Sequence, residues 1–157
     1  MTRGASVTLP TLLALSLACS GSTILSHSDV LAIQAAAVEF LAKQDESDQD
    51  GLAICVRVAV RAGEMVEGLV ERGLEDPPAA FVARLRAKGI TAQPFSSCNQ
   101  QVGTLVFAVG WPSVTPDGVE VPADRLCDPL CGGGFKVHVR RTAEGWRAIA
   151  AHATWVS

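Results

Sequence analysis

An α+β fold, with N-terminal helices packed on a C-terminal antiparallel sheet, is predicted by three features of this sequence. Apolar residues recur at helical spacing between Val30 and Leu41. After Cys98 the apolar period changes to two. Turn residues then punctuate the rest of the chain at the short intervals of a meander, so helices come first and strands last.

The first helix is carried by Val30, Ile33, Ala37 and Leu41, spaced three and four apart. Ser28 or Asp29 is placed to cap its start, and the acidic run 45–50 ends it. Residues 52–60 are rich in β-branched side chains without a helical stripe and read as a strand buried on at least one face. Within 63–73, Met65, Val66, Leu69 and Val70 fit a short helix. Asp76-Pro77-Pro78 opens a clearer one, with Asp76 as cap, Pro77 at the first position, Phe81, Val82 and Leu85 as the apolar stripe and Gly89 as the stop.

Residues 104–109 read as a strand, Thr115-Pro116-Asp117-Gly118 as a turn, and 119–121 as the return strand. Residues 122–134 read as a long loop holding two cysteines and three glycines in a row. Segments 135–141 and 146–156 form the last hairpin, joined by a three-residue loop, Ala143-Glu144-Gly145, with Gly145 in the left-handed conformation. This element order is similar to that of the cystatin-like and NTF2-like folds, in which a curved sheet wraps around helices. The likeness implies fold alone, because one fold hosts many functions.

The start of the chain reads as an address. Met1-Thr2-Arg3 supplies one basic side chain, residues 9–18 form an apolar run, Leu15-Ser16-Leu17-Ala18 leads into Cys19, and Ser20-Gly21-Ser22 follows. A membrane helix needs about 20 apolar residues, whereas a signal core needs roughly 7–15, which is the length found here. This segment resembles the signal region of a bacterial lipoprotein precursor. The resemblance implies a signal peptide over 1–18, a lipid on Cys19, a polar tether to residue 28, and a single domain over 29–157 anchored at the cell envelope. Cleavage after Ala18 or Ser20 without lipidation is the alternative and would leave a soluble periplasmic or secreted protein.

With Cys19 set aside, Cys55, Cys98, Cys127 and Cys131 form an even set, which an oxidising compartment can pair. Of the three connectivities, Cys55–Cys98 with Cys127–Cys131 is favoured because the second pair shares one loop. In the chain-entropy picture the longer closure contributes about 4 kcal/mol and the shorter about 2 kcal/mol. Buried free thiols are the competing reading, since Cys55 lies in an apolar run.

Composition narrows the partners. Apolar residues make up 48% and charged residues 18%, a balance that supports a packed core rather than disorder. The net charge of −3 lacks the basic stripe that nucleic acid requires, so no nucleic-acid partner is expected. The expected partners are the membrane, through the lipid on Cys19, and an unidentified protein or small ligand.

A three-residue loop sets cross-strand pairs in the last hairpin so that His138 faces Ala150 and Arg140 faces Ala148. Val137, Val139, Ile149, Ala151 and Trp155 would then share the core face. His138, Arg140 and His152 would share the other, the two histidines diagonal at about 7–8 Å. This trio is the candidate ligand-binding site, suited to an anion. Cys127-x3-Cys131 with His138 has permitted zinc spacing but lacks a fourth ligand, and no cofactor or metal is expected. Glu46, Asp48, Asp50 and Gly51 begin like a calcium loop, but Arg57 stands where the bidentate glutamate belongs. Gly132-Gly133-Gly134 lacks the helix and hydroxyl of a phosphate loop, and there is no Gly-x-Ser-x-Gly elbow. The reading is a binding or interaction domain rather than an enzyme, with an exported enzyme or carrier having a pocket on the curved sheet as the alternative.

Overall fold

A computed structural model describes residues 24–44, 53–63, 66–67, 70–71, 73–98, 104–127 and 131–157. The leader, Cys19 and the acidic run with its calcium-like spacing lie outside the described residues. Among the described residues two α-helices, α1 (His27–Gln44) and α2 (Ala79–Ala87), accompany ten strands. These are β1 (Ala53–Ala59), β2 (Val66–Glu67), β3 (Val70–Glu71), β4 (Leu74–Glu75), β5 (Ala92–Pro94), β6 (Thr104–Val109), β7 (Ser113–Thr115), β8 (Gly118–Cys127), β9 (Cys131–Thr142) and β10 (Gly145–Val156). Eight strands form one sheet along the path β10-β9-β8-β6-β1-β4, with β5 beside β1 and β7 beside β8.

The expected α+β arrangement is present, but the sheet is mixed rather than purely antiparallel. Its C-terminal part is the expected meander. β1 joins it from the N-terminal half and runs parallel to both β6 and β5. The alternation in β1 explains why it is drawn into the middle: Val56 and Val58 face Phe107 and Val109 in the main core. Cys55 and Arg57 point to the opposite face.

Helix α1 begins one turn earlier than its apolar stripe suggests. Its cap is Ser26, not Ser28 or Asp29. The Asp29 amide donates to Ser26 Oγ at 3.1 Å, and the Ser26 amide donates back to Asp29 Oδ2 at 3.3 Å, a reciprocal capping box. The stripe Val30, Ile33, Ala37 and Leu41 is buried as expected. Burial is continuous from Ile33 to Val38, because α1 is covered by α2 as well as by the sheet. Ala35, Ala36 and Ala37 are small enough to let both neighbours approach.

Other local expectations are corrected. Asp76 does not cap α2, which follows Pro78 without a side-chain cap. Its carboxylate instead accepts the Ser96 amide at 3.0 Å and the Ser96 hydroxyl, holding the 3-10 turn Phe95–Ser97. In place of a short helix in 63–73, β2 and β3 pair antiparallel, Val66 opposite Glu71. Alternating Val and Glu in each segment suits a period of two.

The largest correction concerns 122–134, which is mostly strand. β8 continues through Pro122 to Cys127, and β9 already starts at Cys131. Pro122 is tolerated because its carbonyl, and so its missing N–H, faces the gap between β7 and β6, where it accepts the Gly110 amide at 2.8 Å. The glycines lie within β9, and Gly134 serves a packing role. A bulge between Ala153 and Trp155 turns Trp155 to the sheet face away from α1, opposite Gly134. There its indole N–H donates to the buried carboxylate of Asp124 at 3.2 Å. A Cβ on Gly134 would overlap the indole nitrogen.

Gly134→Ala is therefore expected to lower stability by about 1–3 kcal/mol through overpacking. In a Trp155→Ala background the same change should cost much less, and urea unfolding of the four proteins in the cycle measures the difference.

Candidate functional site

The disulfide Cys55–Cys98 is formed, with its Cα atoms 6.0 Å apart. Cys55 is fully buried in β1, and Cys98 follows the 3-10 turn. The same turn is held by Asp76 and by the Arg57 guanidinium, which sits 4.7 Å from the centre of the Phe95 ring. Cys127 is also disulfide-bonded, which removes it as a zinc thiolate, and Cys131 is its cross-strand neighbour in the β8–β9 register. Among the described residues no cluster of three or more His, Cys, Asp or Glu is arranged to hold a metal ion.

The histidine–arginine trio is partly assembled. The rings of His138 and His152 meet edge to face with centroids 5.2 Å apart. Glu120, opposite His138 on β8, lies 3.8 Å from His138 Nε2 and 3.2 Å from Lys136 Nζ. Arg140, two residues along β9 from His138, is engaged elsewhere: its Nε donates to the Asp117 carbonyl at 3.0 Å. The loop has two residues rather than three, so Arg140 faces Arg147, not Ala148. A bulge between Ala148 and Ala150 then restores the expected pairing of His138 with Ala150. The same bulge leaves Ile149 exposed instead of in the core, and Trp155 has turned to the opposite face. His152 and Arg140 are exposed on open sheet surface.

A more enclosed site lies where the C-terminal half of α1, helix α2 and the tip of the β9–β10 hairpin meet, around a groove of about 680 Å³. From α1 come Ala36, Glu39, Phe40 and Lys43, the positions that share one face of a helix. From α2 come Arg84 and Lys88, also four apart. The hairpin adds Glu144, Trp146, Arg147 and Ile149. Phe40, Trp146, Ala36 and Ala148 provide apolar surface, and the charged groups stand around it.

Trp146 is fixed by the start of α1. Its indole N–H donates to Asp29 Oδ1 at 2.8 Å, while the Arg141 guanidinium sits 5.7 Å from its ring centre. Asp29 thus closes the helix cap with one oxygen and holds the groove's aromatic wall with the other. The sequence reading missed this site. Its one visible signal was charged residues at helical spacing, and these look the same as any solvated helix face.

Compared with known proteins, the chain matches no family, no curated protein and no solved structure. Among the described residues no helix is long and apolar enough to cross a membrane.

The Ser26 hydroxyl first, and then the Trp146 indole, hold the Asp29 carboxyl below its ordinary range. A carboxylate depressed on folding stabilises the native state above its unfolded pKa of about 3.9, and that stability is lost as pH falls through the lower folded value. Asp29→Asn should therefore flatten the decline in urea midpoint below about pH 4. The Asp76 carboxyl, lowered by Ser96, keeps a residual slope. An unchanged acid limb in the variant would contradict the assignment.

Proposed function

We propose that this chain is an exported, non-catalytic binding domain held at a bacterial cell envelope by a lipid on Cys19. The observation that carries the reading is the Cys55–Cys98 disulfide. A disulfide between residues 43 apart in sequence suits an oxidising compartment, outside the reducing cytosol. Cys127 is also disulfide-bonded, and a bond to its cross-strand neighbour Cys131 would complete the set and leave Cys19 as the fifth cysteine, free for acylation. Export is consistent with the leader, whose apolar run is too short for a membrane span.

The groove between α1, α2 and the hairpin supports a binding role. Its lining combines aromatic and aliphatic surface with charged side chains from three elements, the composition of a ligand site. The His138–His152 pair, with Glu120 beside His138, is a second and more open polar surface for a partner. Stable anchoring needs more than a single acyl chain, which bacterial lipoproteins provide at their N-terminal cysteine.

Cys19→Ala expressed in a bacterial host is expected to move the protein from the membrane fraction to the soluble fraction. Intact mass of the wild type without reductant should show leader loss, added lipid and two disulfides. A Cys19→Ala protein that stays with the membrane, or a full-length cytosolic product with free thiols, would overturn the reading.

A further inference from the structure

The protein carries a net charge of −3, yet the groove is lined by four cations, Lys43, Arg84, Lys88 and Arg147, against two carboxylates, Glu39 and Glu144. Lys43 and Glu39 neutralise each other at 2.9 Å, one turn apart on α1. Arg147 borders the groove through its strand, but its side chain shares the sheet face of Arg140, away from α1. That leaves Arg84 and Lys88 facing Glu144, a net positive charge in the groove of an acidic protein, where low-dielectric walls strengthen its field.

This positive charge comes from α2 and the residue that follows it. Arg84 and Lys88 project from the exposed face of α2, whose other face buries Phe81, Val82 and Leu85. Beside these cations lies the apolar surface of Phe40, Trp146 and Ala148. Trp146 needs no further hydrogen-bond partner there, because Asp29 already accepts its N–H. The indole thus presents a hydrophobic wall rather than a polar one.

We propose that this groove binds a small amphipathic anion. A carboxylate, or another singly charged acidic head, would lie against Arg84 and Lys88, and its alkyl or aryl body would lie along Phe40 and Trp146. The planar fork of an arginine suits the two oxygens of a carboxylate. The groove volume falls within the range of small-molecule sites. This deepens the binding-domain reading by naming a ligand class, and it does not depend on the lipid at Cys19.

The test titrates the purified, oxidised full chain with dodecanoate and with dodecyltrimethylammonium, both below their micelle concentrations, using calorimetry and tryptophan fluorescence. The two probes share an alkyl chain and differ in the sign of the head. Dodecanoate is expected to bind at least tenfold more tightly, with affinity falling as salt rises. Arg84→Glu with Lys88→Glu should weaken dodecanoate at least tenfold while leaving the thermal midpoint near that of the wild type, since both side chains are exposed. Arg147→Glu, whose side chain lies on the other sheet face, should leave dodecanoate affinity near the wild-type value and so separates the groove from a general attraction of anions to the surface. Equal affinity for the two probes, unchanged dodecanoate affinity in the α2 double variant, or an equal loss in Arg147→Glu overturns the proposal. So does binding to phosphatidylglycerol vesicles without binding to monomeric dodecanoate, which would assign the basic surface to a membrane. A protein that binds dodecanoate yet stays soluble in the cell with Cys19 intact refutes the anchor and leaves the groove standing.

Discussion

Midway along α1, the fully buried Gln34 sends its amide nitrogen to two main-chain carbonyls, those of Ala59 at 2.9 Å and Gly110 at 3.1 Å. Ala59 ends β1, and Gly110 follows the last residue of β6, so one side chain ties the helix to the ends of two parallel central strands. The opposite amide orientation would set an oxygen against both carbonyls, so the donor assignment follows from the partners. Among the described residues Gln34 Oε1 has no hydrogen-bond partner, a cost that makes the two donated bonds matter more. Apolar packing alone permits a helix to slide on a sheet. A buried donor aimed at two fixed carbonyls sets where it stops.

The rest of the architecture follows from that placement. With its middle held by Gln34 and its start held by Asp29 and Trp146, α1 leaves its last turns to meet α2 and the hairpin tip. The groove is the space between those three elements. On the opposite face of the sheet, the Cys55–Cys98 disulfide, Asp76 and Arg57 fasten the 3-10 turn, and Trp155 covers Gly134. Among the described residues the sheet is therefore covered on both faces at its centre and open mainly around β9 and β10, where His138 and His152 lie. Two bulges interrupt β10, a recognised way to protect an exposed edge from pairing with other chains.

The fold class could be read because periodicity is local: the Val30–Leu41 stripe and the alternation after Cys98 report their own surroundings. The Cys55–Cys98 bond could also be inferred, from parity and spacing. Register in the last hairpin could not. A two-residue turn moved Arg140 opposite Arg147, and a bulge at Ile149 then corrected the pairing at His138, an offset that no run of side chains announces. The glycines misled for a related reason. Three in a row look like a loop, and only the indole of Trp155, 21 residues later in the sequence, explains a strand there. Gln34 passed as an ordinary polar helix residue, since its partners are 25 and 76 residues away. The groove was hidden for the same reason, assembled from three segments whose own patterns carry no sign of each other.

Urea unfolding of Gln34→Leu tests the placement of α1 most directly. The leucine keeps the volume and adds apolar surface, so hydrophobic burial alone would leave the protein as stable or more so. Loss of the donor to two buried carbonyls predicts a protein less stable by about 2–4 kcal/mol. A variant equal to the wild type or above it would contradict the account and assign the helix position to packing alone.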